Sequence, residues 1–137
     1  MNRFEILMMV AKHYLGTPYI WGGDDPSGFD CSGFVLECLK SVGEVGEHED
    51  FTADQLMKKY AANELSAPTG GCLVFYLRPD GTARHVVIAL SPLYHIGADS
   101  GGSGDTTPAQ AWKDNAYVKV RPTKFDPATM KAVNPFS

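Results

Sequence analysis

The chain has 137 residues, of which 44% are hydrophobic and 20% are charged, and its formal net charge is −4 at pH 7. This composition is typical of a single globular domain over 1–137 and excludes a disordered chain. The acidic balance excludes nucleic acid as the main partner, because phosphate binding needs clustered lysine and arginine. The three cysteines are too few for a disulfide framework, so the fold is expected to tolerate a reducing compartment.

The first stretch of the chain predicts an amphipathic helix. Apolar residues recur at helical spacing over 3–15, and Gly16 ends the pattern. Glu5 and Lys12 interrupt the apolar stretch and no small-residue cleavage site follows, which favours a helix over a signal peptide. No run is long enough to cross a membrane. We therefore expect a protein made in the cytoplasm and not inserted in a membrane.

An aromatic loop separates this helix from the next one. The loop "TPYIWGGDDPSG" carries turn signals, and Trp21 within it is expected to pack against the core. A second helix is predicted from Cys31, with Asp30 as its N-cap. A capping-box pattern from Thr52 to Gln55 predicts a third, short helix.

The second half of the chain predicts an antiparallel sheet. Its apolar runs are rich in valine, isoleucine and aromatic residues and are bounded by turn residues. Four strands are predicted, at 72–78, 84–91, 93–98 and 116–122. A brief helix is expected at Thr107, with Pro108 in its first turn. Helices followed by an antiparallel meander predict an α+β fold, with the N-terminal helices packed on one face of the sheet.

Cys31 differs from the other two cysteines. Cys38 and Cys72 lie within apolar runs and are expected to pack in the core. Cys31 begins its helix, where unpaired N–H groups and the helix dipole favour the thiolate. His85 opens a strand, and its imidazole is either hydrogen-bonded to backbone or serves as a base for Cys31. The pattern favours the base. The neighbouring Arg84 is expected to be solvated, with a contact at the rim of the site as the alternative.

The sequence does not predict a metal centre or a bound cofactor. Structural zinc sites bring closely spaced ligand pairs, but Cys31 and Cys38 are two helical turns apart and no two histidines have ligand spacing. The segment "GGDDPSG" lacks the Gly-Lys-Ser/Thr ending of a phosphate loop. His13 and His48 lie in polar surroundings and are expected to be solvated.

Several segments together resemble a known family. "LGTPYIWGG", "SGFDCSGFV", "GGCLVFY" and "RHVVIAL" are similar to the NlpC family of papain-like cysteine peptidases. The order of cysteine before histidine fits this family and not its circularly permuted relatives. The resemblance implies a papain-like fold with the catalytic cysteine at a helix N-terminus. It also implies a peptidoglycan-derived peptide as substrate, cleaved most often between D-glutamate and a diamino acid such as meso-diaminopimelate. With that substrate, three settings fit: delivery to the cell wall as a phage component, injection as a bacterial effector, or turnover of imported wall fragments in the cytoplasm.

The resemblance also implies roles for individual residues. Cys31 would be the nucleophile and His85 the general base. The Tyr19 hydroxyl would join the Cys31 backbone N–H in holding the oxyanion, although simple packing is an alternative reading of Tyr19. Asp30 and Ser32 would line the substrate site, with the Asp30 carboxylate facing a free α-amino group.

The third catalytic position departs from the family pattern. The family has a polar residue about twelve positions after the base, and here that position is Gly97. His95 and Asp99 flank Gly97 on the same strand face. If His85 lies opposite Gly97, both are its diagonal neighbours and within reach of a long side chain. We expect His95 to be the third catalytic residue, with Asp99 as the alternative.

Two other functions stay open from the sequence. The missing side chain at Gly97 favours a non-catalytic binding or structural module that kept the fold. The same cysteine chemistry would also serve a deamidase or acyltransferase that acts on protein substrates.

Overall fold

The computed structural model describes residues 2–25 and 27–136. The helices are α1 (Arg3–His13), α2 (Cys31–Ser41), α3 (Ala53–Lys59) and α4 (Pro108–Lys113), with a 3-10 turn at Ala61–Asn63. The strands are β1 (Asp24–Asp25), β2 (Gly28–Phe29), β3 (Glu64–Leu65), β4 (Leu73–Leu77), β5 (Ala83–Ala89), β6 (Tyr94–Asp99), β7 (Tyr117–Pro122) and β8 (Met130–Val133). In this part of the chain no helix has the length and apolar character needed to cross a bilayer.

The helices begin where the capping residues predict. The Asp30 carboxylate accepts a hydrogen bond from the Gly33 N–H (2.7 Å), which satisfies an otherwise unpaired first-turn donor of α2. The Thr52 and Gln55 side chains form the reciprocal capping box of α3. Thr107 caps α4, and Pro108 occupies its first turn. These three predictions are confirmed.

The main sheet has six antiparallel strands in the order β3-β8-β4-β5-β6-β7. The meander from β4 to β7 confirms the four predicted strands. The C-terminal strand β8 was not predicted, and it lies between β3 and β4. In the aromatic loop, β1 and β2 form a separate two-stranded hairpin.

Both faces of the sheet are buried. The larger apolar cluster joins α1, α2 and α3 to side chains such as Val86, Ile88 and Ile96. A smaller cluster on the opposite face contains Cys72, Val74, Val87, Ala89, Met130 and Ala132. We call these the first face and the second face. The α+β prediction is confirmed. The sequence predicted burial of one face of the sheet only, and the structure shows that the second face is buried as well.

Candidate active site

Cys31 lies at the first position of α2 and is partly exposed. Cys38, two turns further along the helix, has no exposed surface, and Cys72 is 2% exposed. Burial raises the pKa of Cys38 well above its usual range and also raises the pKa of Cys72. Both are core cysteines, as predicted, and Cys31 is the cysteine that solvent and a substrate can reach.

Glycines of the aromatic loop fix the position of the first turn of α2. A side chain at Gly33 would collide with the backbone carbonyl oxygen of Gly23, so the loop and the helix are in direct backbone contact. The Asp30 N–H donates to the same Gly23 oxygen (3.0 Å), which ties the cap to the loop. These contacts hold Cys31 in a defined place relative to the loop.

His85, Asp99 and His95 form one buried cluster at the end of the second face. Nε2 of His85 lies 2.7 Å from Oδ1 of Asp99, and Nε2 of His95 lies 3.1 Å from Oδ2 of the same carboxylate. The oxygen near His85 lies off the N–H direction of the ring, so this contact is an ion pair rather than a well-directed hydrogen bond. Nδ1 of His95 lies 3.3 Å from the Thr123 hydroxyl.

The electrostatics of this cluster favour a charged His85. Burial by itself would lower the pKa of His85, but its contacts with the Asp99 carboxylate and the Cys31 thiol raise that pKa to about 9. Burial would raise the pKa of Asp99, but the two histidines hold it well below its usual range. Both shifts favour the imidazolium–carboxylate form of the pair, with the Cys31 sulfur as the other neighbour of the ring.

The strand register corrects the expectation for the third residue. Ile88 pairs with Ile96 and Ala89 pairs with His95. The same antiparallel register, continued along the strands, places Asp99 opposite His85. His85 does not lie opposite Gly97, as the diagonal-neighbour argument assumed. Asp99 is therefore the carboxylate that contacts His85, and His95, the preferred candidate, reaches only the far side of that carboxylate.

The glycine at position 97 is explained by packing, because there is no room for a side chain there. A Cβ at this position would lie 2.6 Å from Cγ1 of Val87, its neighbour on β5. Gly97 also separates His95 from Asp99 on one strand face, where residues four apart have Cα atoms about 13 Å apart. Because Gly97 has no side chain, the side chains of His95 and Asp99 can meet in the space above it.

A cleft of about 450 Å³ contains the sulfur and the imidazole. Cys31, His85 and Asp99 line it together with Tyr19, which is 6% exposed. Burial first, and then the negative charges of Cys31, Asp30 and Asp105, raise the pKa of Tyr19 above its usual range, so its hydroxyl stays protonated. Tyr19 is therefore packed and also lines the cleft, so packing and a place at the oxyanion are compatible interpretations of this residue.

Asp30 and Ser32 line a different, adjoining cavity of about 170 Å³. The Asp30 carboxylate already accepts from the Gly33 N–H and from the Ser32 hydroxyl (3.3 Å). Burial raises the pKa of Asp30, these hydrogen bonds oppose the shift, and the charge of Asp50 adds to it. The two residues thus border the position of Cys31 without sharing its cleft.

Sequence reasoning missed several side chains that line the cleft. Trp21 was expected in the core, but it is 56% exposed and lines the cleft. Arg84, for which solvation was favoured over a contact at the rim of the site, lines it too, as do Arg78 and Arg121. Arg78 and Arg121 lie 47 and 90 residues after Cys31 in the sequence, and no local pattern signals their approach.

Within residues 2–25 and 27–136, no group of three or more histidine, cysteine or acidic side chains is arranged to hold a metal ion.

A papain-like fold with a cysteine at a helix tip and a histidine on the facing sheet defines a class, the papain-like cysteine peptidases. The sequence model of the NlpC/P60 family matches residues 16–121. This chain belongs to the NlpC/P60 family, which confirms the resemblance.

Known relatives agree with this assignment. The chain is 35% identical over 95 residues to the "Probable peptidoglycan endopeptidase LytE" of Bacillus subtilis (strain 168), covering 68% of this chain and 27% of that protein. It is 28% identical over 98 residues to the "Gamma-D-glutamyl-L-lysine dipeptidyl-peptidase" of the same organism, covering 72% and 29%. The chain therefore spans less than a third of the length of these curated relatives.

A solved structure confirms the fold. The NlpC/p60 domain of the peptidoglycan hydrolase SagA superposes with a TM-score of 0.63 at 32% identity, covering 98% of this chain and 99% of that one. The expected architecture, with N-terminal helices on an antiparallel sheet and the cysteine at a helix N-terminus, is confirmed.

Proposed function

We propose that this chain is a cysteine peptidase that hydrolyses peptidoglycan stem peptides. One observation carries the proposal: Cys31, at the tip of α2, shares a cleft with His85, whose imidazole is paired with Asp99. A nucleophile, a base and a group that orients the base are the requirements of nucleophilic acyl transfer. The names of the family relatives support a peptidoglycan substrate.

The mechanism follows from the positions of these groups. The Cys31 thiolate attacks the amide carbonyl carbon, and the C–N bond breaks as His85 gives its proton to the leaving amine. The acyl group stays on sulfur as a thioester. His85 then takes a proton from water, whose oxygen attacks the thioester and releases Cys31. Asp99 stabilises the imidazolium and fixes the direction of the ring.

Tyr19 and the first-turn backbone stabilise the oxyanion in this proposal. Attack on the carbonyl builds negative charge on its oxygen, and fixed donors lower the barrier by a few kcal/mol each. The Tyr19 hydroxyl remains a donor because its pKa is raised. The Cys31 N–H is among the first four amides of α2, which lack partners within the helix.

His95 is a positioning residue in this proposal. Its Nε2 contacts the Asp99 oxygen that His85 does not, and its Nδ1 contacts Thr123. A carboxylate held on both sides cannot rotate away from His85. Asp99 thus orients the base, and His95 acts through Asp99.

The scissile bond in this proposal joins γ-D-glutamate to the diamino acid. The free α-amino group of the stem fragment lies in the cavity lined by Asp30 and Ser32, where Asp50 adds a second negative charge. The relative named for γ-D-glutamyl-L-lysine supports this choice of bond.

Mass spectrometry of stem peptides tests the proposal. L-Ala-γ-D-Glu-diamino acid peptides are incubated with wild-type protein, with Cys31→Ala and with Cys72→Ala as a matched control. Wild type and the Cys72 variant are expected to release the diamino acid, and Cys31→Ala is expected to release none. Equal product from wild type and Cys31→Ala would contradict the proposal.

A further inference from the structure

Three arginines from separate elements line the cleft, and we call them the arginine wall. Arg78 follows β4, Arg84 lies on β5 and Arg121 lies on β7, and all three border the 450 Å³ cleft that holds Cys31. Arg84 and Arg121 also line a second cavity of about 290 Å³, which continues past His85 toward Thr123. Three guanidinium groups at one cleft stand out in a chain whose net charge is −4.

None of these guanidinium groups forms a close ion pair with a carboxylate in the described residues, and only the charge of Arg78 acts on nearby carboxylates, those of Asp54 and Asp80. The ion pairs found there use other cations, and none joins a carboxylate to Arg78, Arg84 or Arg121 within 4.0 Å. Asp99 is the carboxylate of this cleft, and both of its oxygens are taken by histidines. The positive charges of Arg84 and Arg121 are therefore available to an anionic ligand.

Two of the arginines are held in place by contacts with the protein. Nη1 of Arg78 donates to the Ala83 carbonyl oxygen (3.0 Å) and to the Thr82 hydroxyl (3.2 Å). The guanidinium carbon of Arg84 lies 5.6 Å from the centre of the Tyr76 ring, a cation–π contact. Side chains that are already ordered lose less entropy when they bind a ligand.

The two sides of Cys31 have opposite charge. The cavity beside the α2 cap is lined by Asp30 and Asp50, whereas the wall that reaches past His85 is lined by the arginines. A peptide that lies across the cysteine with its amino group on the acidic side places its other end among the arginines. Charge therefore sets the direction in which a substrate lies in the cleft.

We propose that Arg84 and Arg121, with Arg78 at the mouth, bind a free carboxylate on the residue that follows the scissile bond. The inference rests on the proposed peptidase function and adds a substrate preference to it. Guanidinium and carboxylate groups pair through two parallel hydrogen bonds, which makes arginine suited to this ligand. The enzyme thus selects stem peptides whose diamino acid carries an unmodified acid.

Two carboxylates on that residue qualify, and matched peptides separate them. Diaminopimelate has a side-chain carboxylate that lysine lacks, and either residue has a free α-carboxylate when it ends the chain. The substrates are L-Ala-γ-D-Glu-X peptides in which X is meso-diaminopimelate, its side-chain amide or L-lysine, each with a free or an amidated C-terminus. Steady-state kinetics are measured for wild type, Arg84→Gln, Arg121→Gln and, as an exposed control outside the cleft, Lys113→Gln.

Wild type is expected to cleave a peptide with the recognised acid roughly tenfold more efficiently than its amide, the size of one charge-assisted contact. Arg84→Gln and Arg121→Gln are expected to remove that preference by raising KM for the acid alone, and Lys113→Gln is expected to keep it. Equal cleavage of acid and amide by wild type, or an equal loss on both in the arginine variants, would overturn the inference.

A binding measurement keeps this inference separate from the proposed function. Titration calorimetry with Cys31→Ala and the same peptides measures affinity without cleavage. Tighter binding of the acid, lost in Cys31→Ala/Arg121→Gln, supports the carboxylate site even if wild type cleaves nothing, in which case only the peptidase proposal fails. Equal affinity for acid and amide would refute the carboxylate site while leaving the peptidase proposal standing.

Discussion

The two sides of the Asp99 carboxylate differ in what lies behind each histidine. His85 opens toward the cleft and toward the Cys31 sulfur, and 16% of its side chain is exposed. His95 faces Thr123, and only 4% of its side chain is exposed. The Tyr76 ring lies beside both histidines. Two chemically identical side chains bind one carboxylate, so their different roles come from their surroundings. In the proposed mechanism the base must reach the Cys31 sulfur, and of the two histidines only His85 lines the cleft that contains it.

The same substitution at both histidines is the strongest test of this difference. We expect His85→Gln to lower kcat/KM by about 10³-fold, because glutamine cannot transfer a proton. His95→Gln is expected to cost only about fivefold, the effect of losing one hydrogen bond of about 1 kcal/mol behind Asp99. Peptide hydrolysis under identical conditions measures both. Equal losses would show that the two histidines act as one unit and would break the comparison.

The Asp99→Asn variant probes the link between the two sides. We expect kcat to fall by about 10²-fold or more, because the amide no longer stabilises the imidazolium. Wild-type activity is expected to decline as the pH rises through about 9, where His85 loses its proton. Removing the Asp99 charge lowers the pKa of His85, so the decline moves to lower pH in the variant. An unchanged pH profile would show that Asp99 does not act on His85.

The same pKa shift affects stability, with a defined sign. The pKa of His85 is raised in the folded state from 6.5 to about 9. The stabilisation of the folded state by protonated His85 is therefore complete below pH 6.5 and is lost as the pH rises through about 9. The free energy of unfolding of wild type, measured with urea, is expected to fall across this pH window. The Asp99→Asn variant is expected to show a smaller fall. A parallel decline in both proteins would assign the effect to other groups.

The smallest expected effect is on stability, at Gly97, which lies at the boundary between the polar cluster and the apolar second face. Gly97→Ala places a methyl group against Cγ1 of Val87, and overpacking of this kind lowers the free energy of unfolding by about 1–3 kcal/mol. Val87→Ala is expected to rescue part of that loss in the double variant. Gly104→Ala, where a Cβ meets nothing within 4 Å, is the matched control. Additive losses at positions 87 and 97 would show that the two side chains do not compete for space.

Local sequence determined the helices, their caps and the chemistry of the nucleophile. The Asp30, Thr52 and Thr107 caps act within three residues of themselves, so spacing alone identifies them. Strands β4 to β7 are continuous apolar runs with turns between them. In contrast, β8 has four residues and forms only because β4 and β3 offer it backbone partners on both sides. Such pairing depends on the rest of the sheet, so the sequence near β8 gives no signal for it.

The sequence by itself determined that Cys31 stands at a helix tip and that His85 lies on a strand, since both depend on local patterns and on the family motif. Only the tertiary structure decided that Asp99, not His95, contacts that histidine. The register between β5 and β6 made the choice, and a register shifted by four residues would have placed His95 opposite His85 instead. The arginine wall is likewise tertiary, because three elements far apart in the chain bring their charges to one cleft.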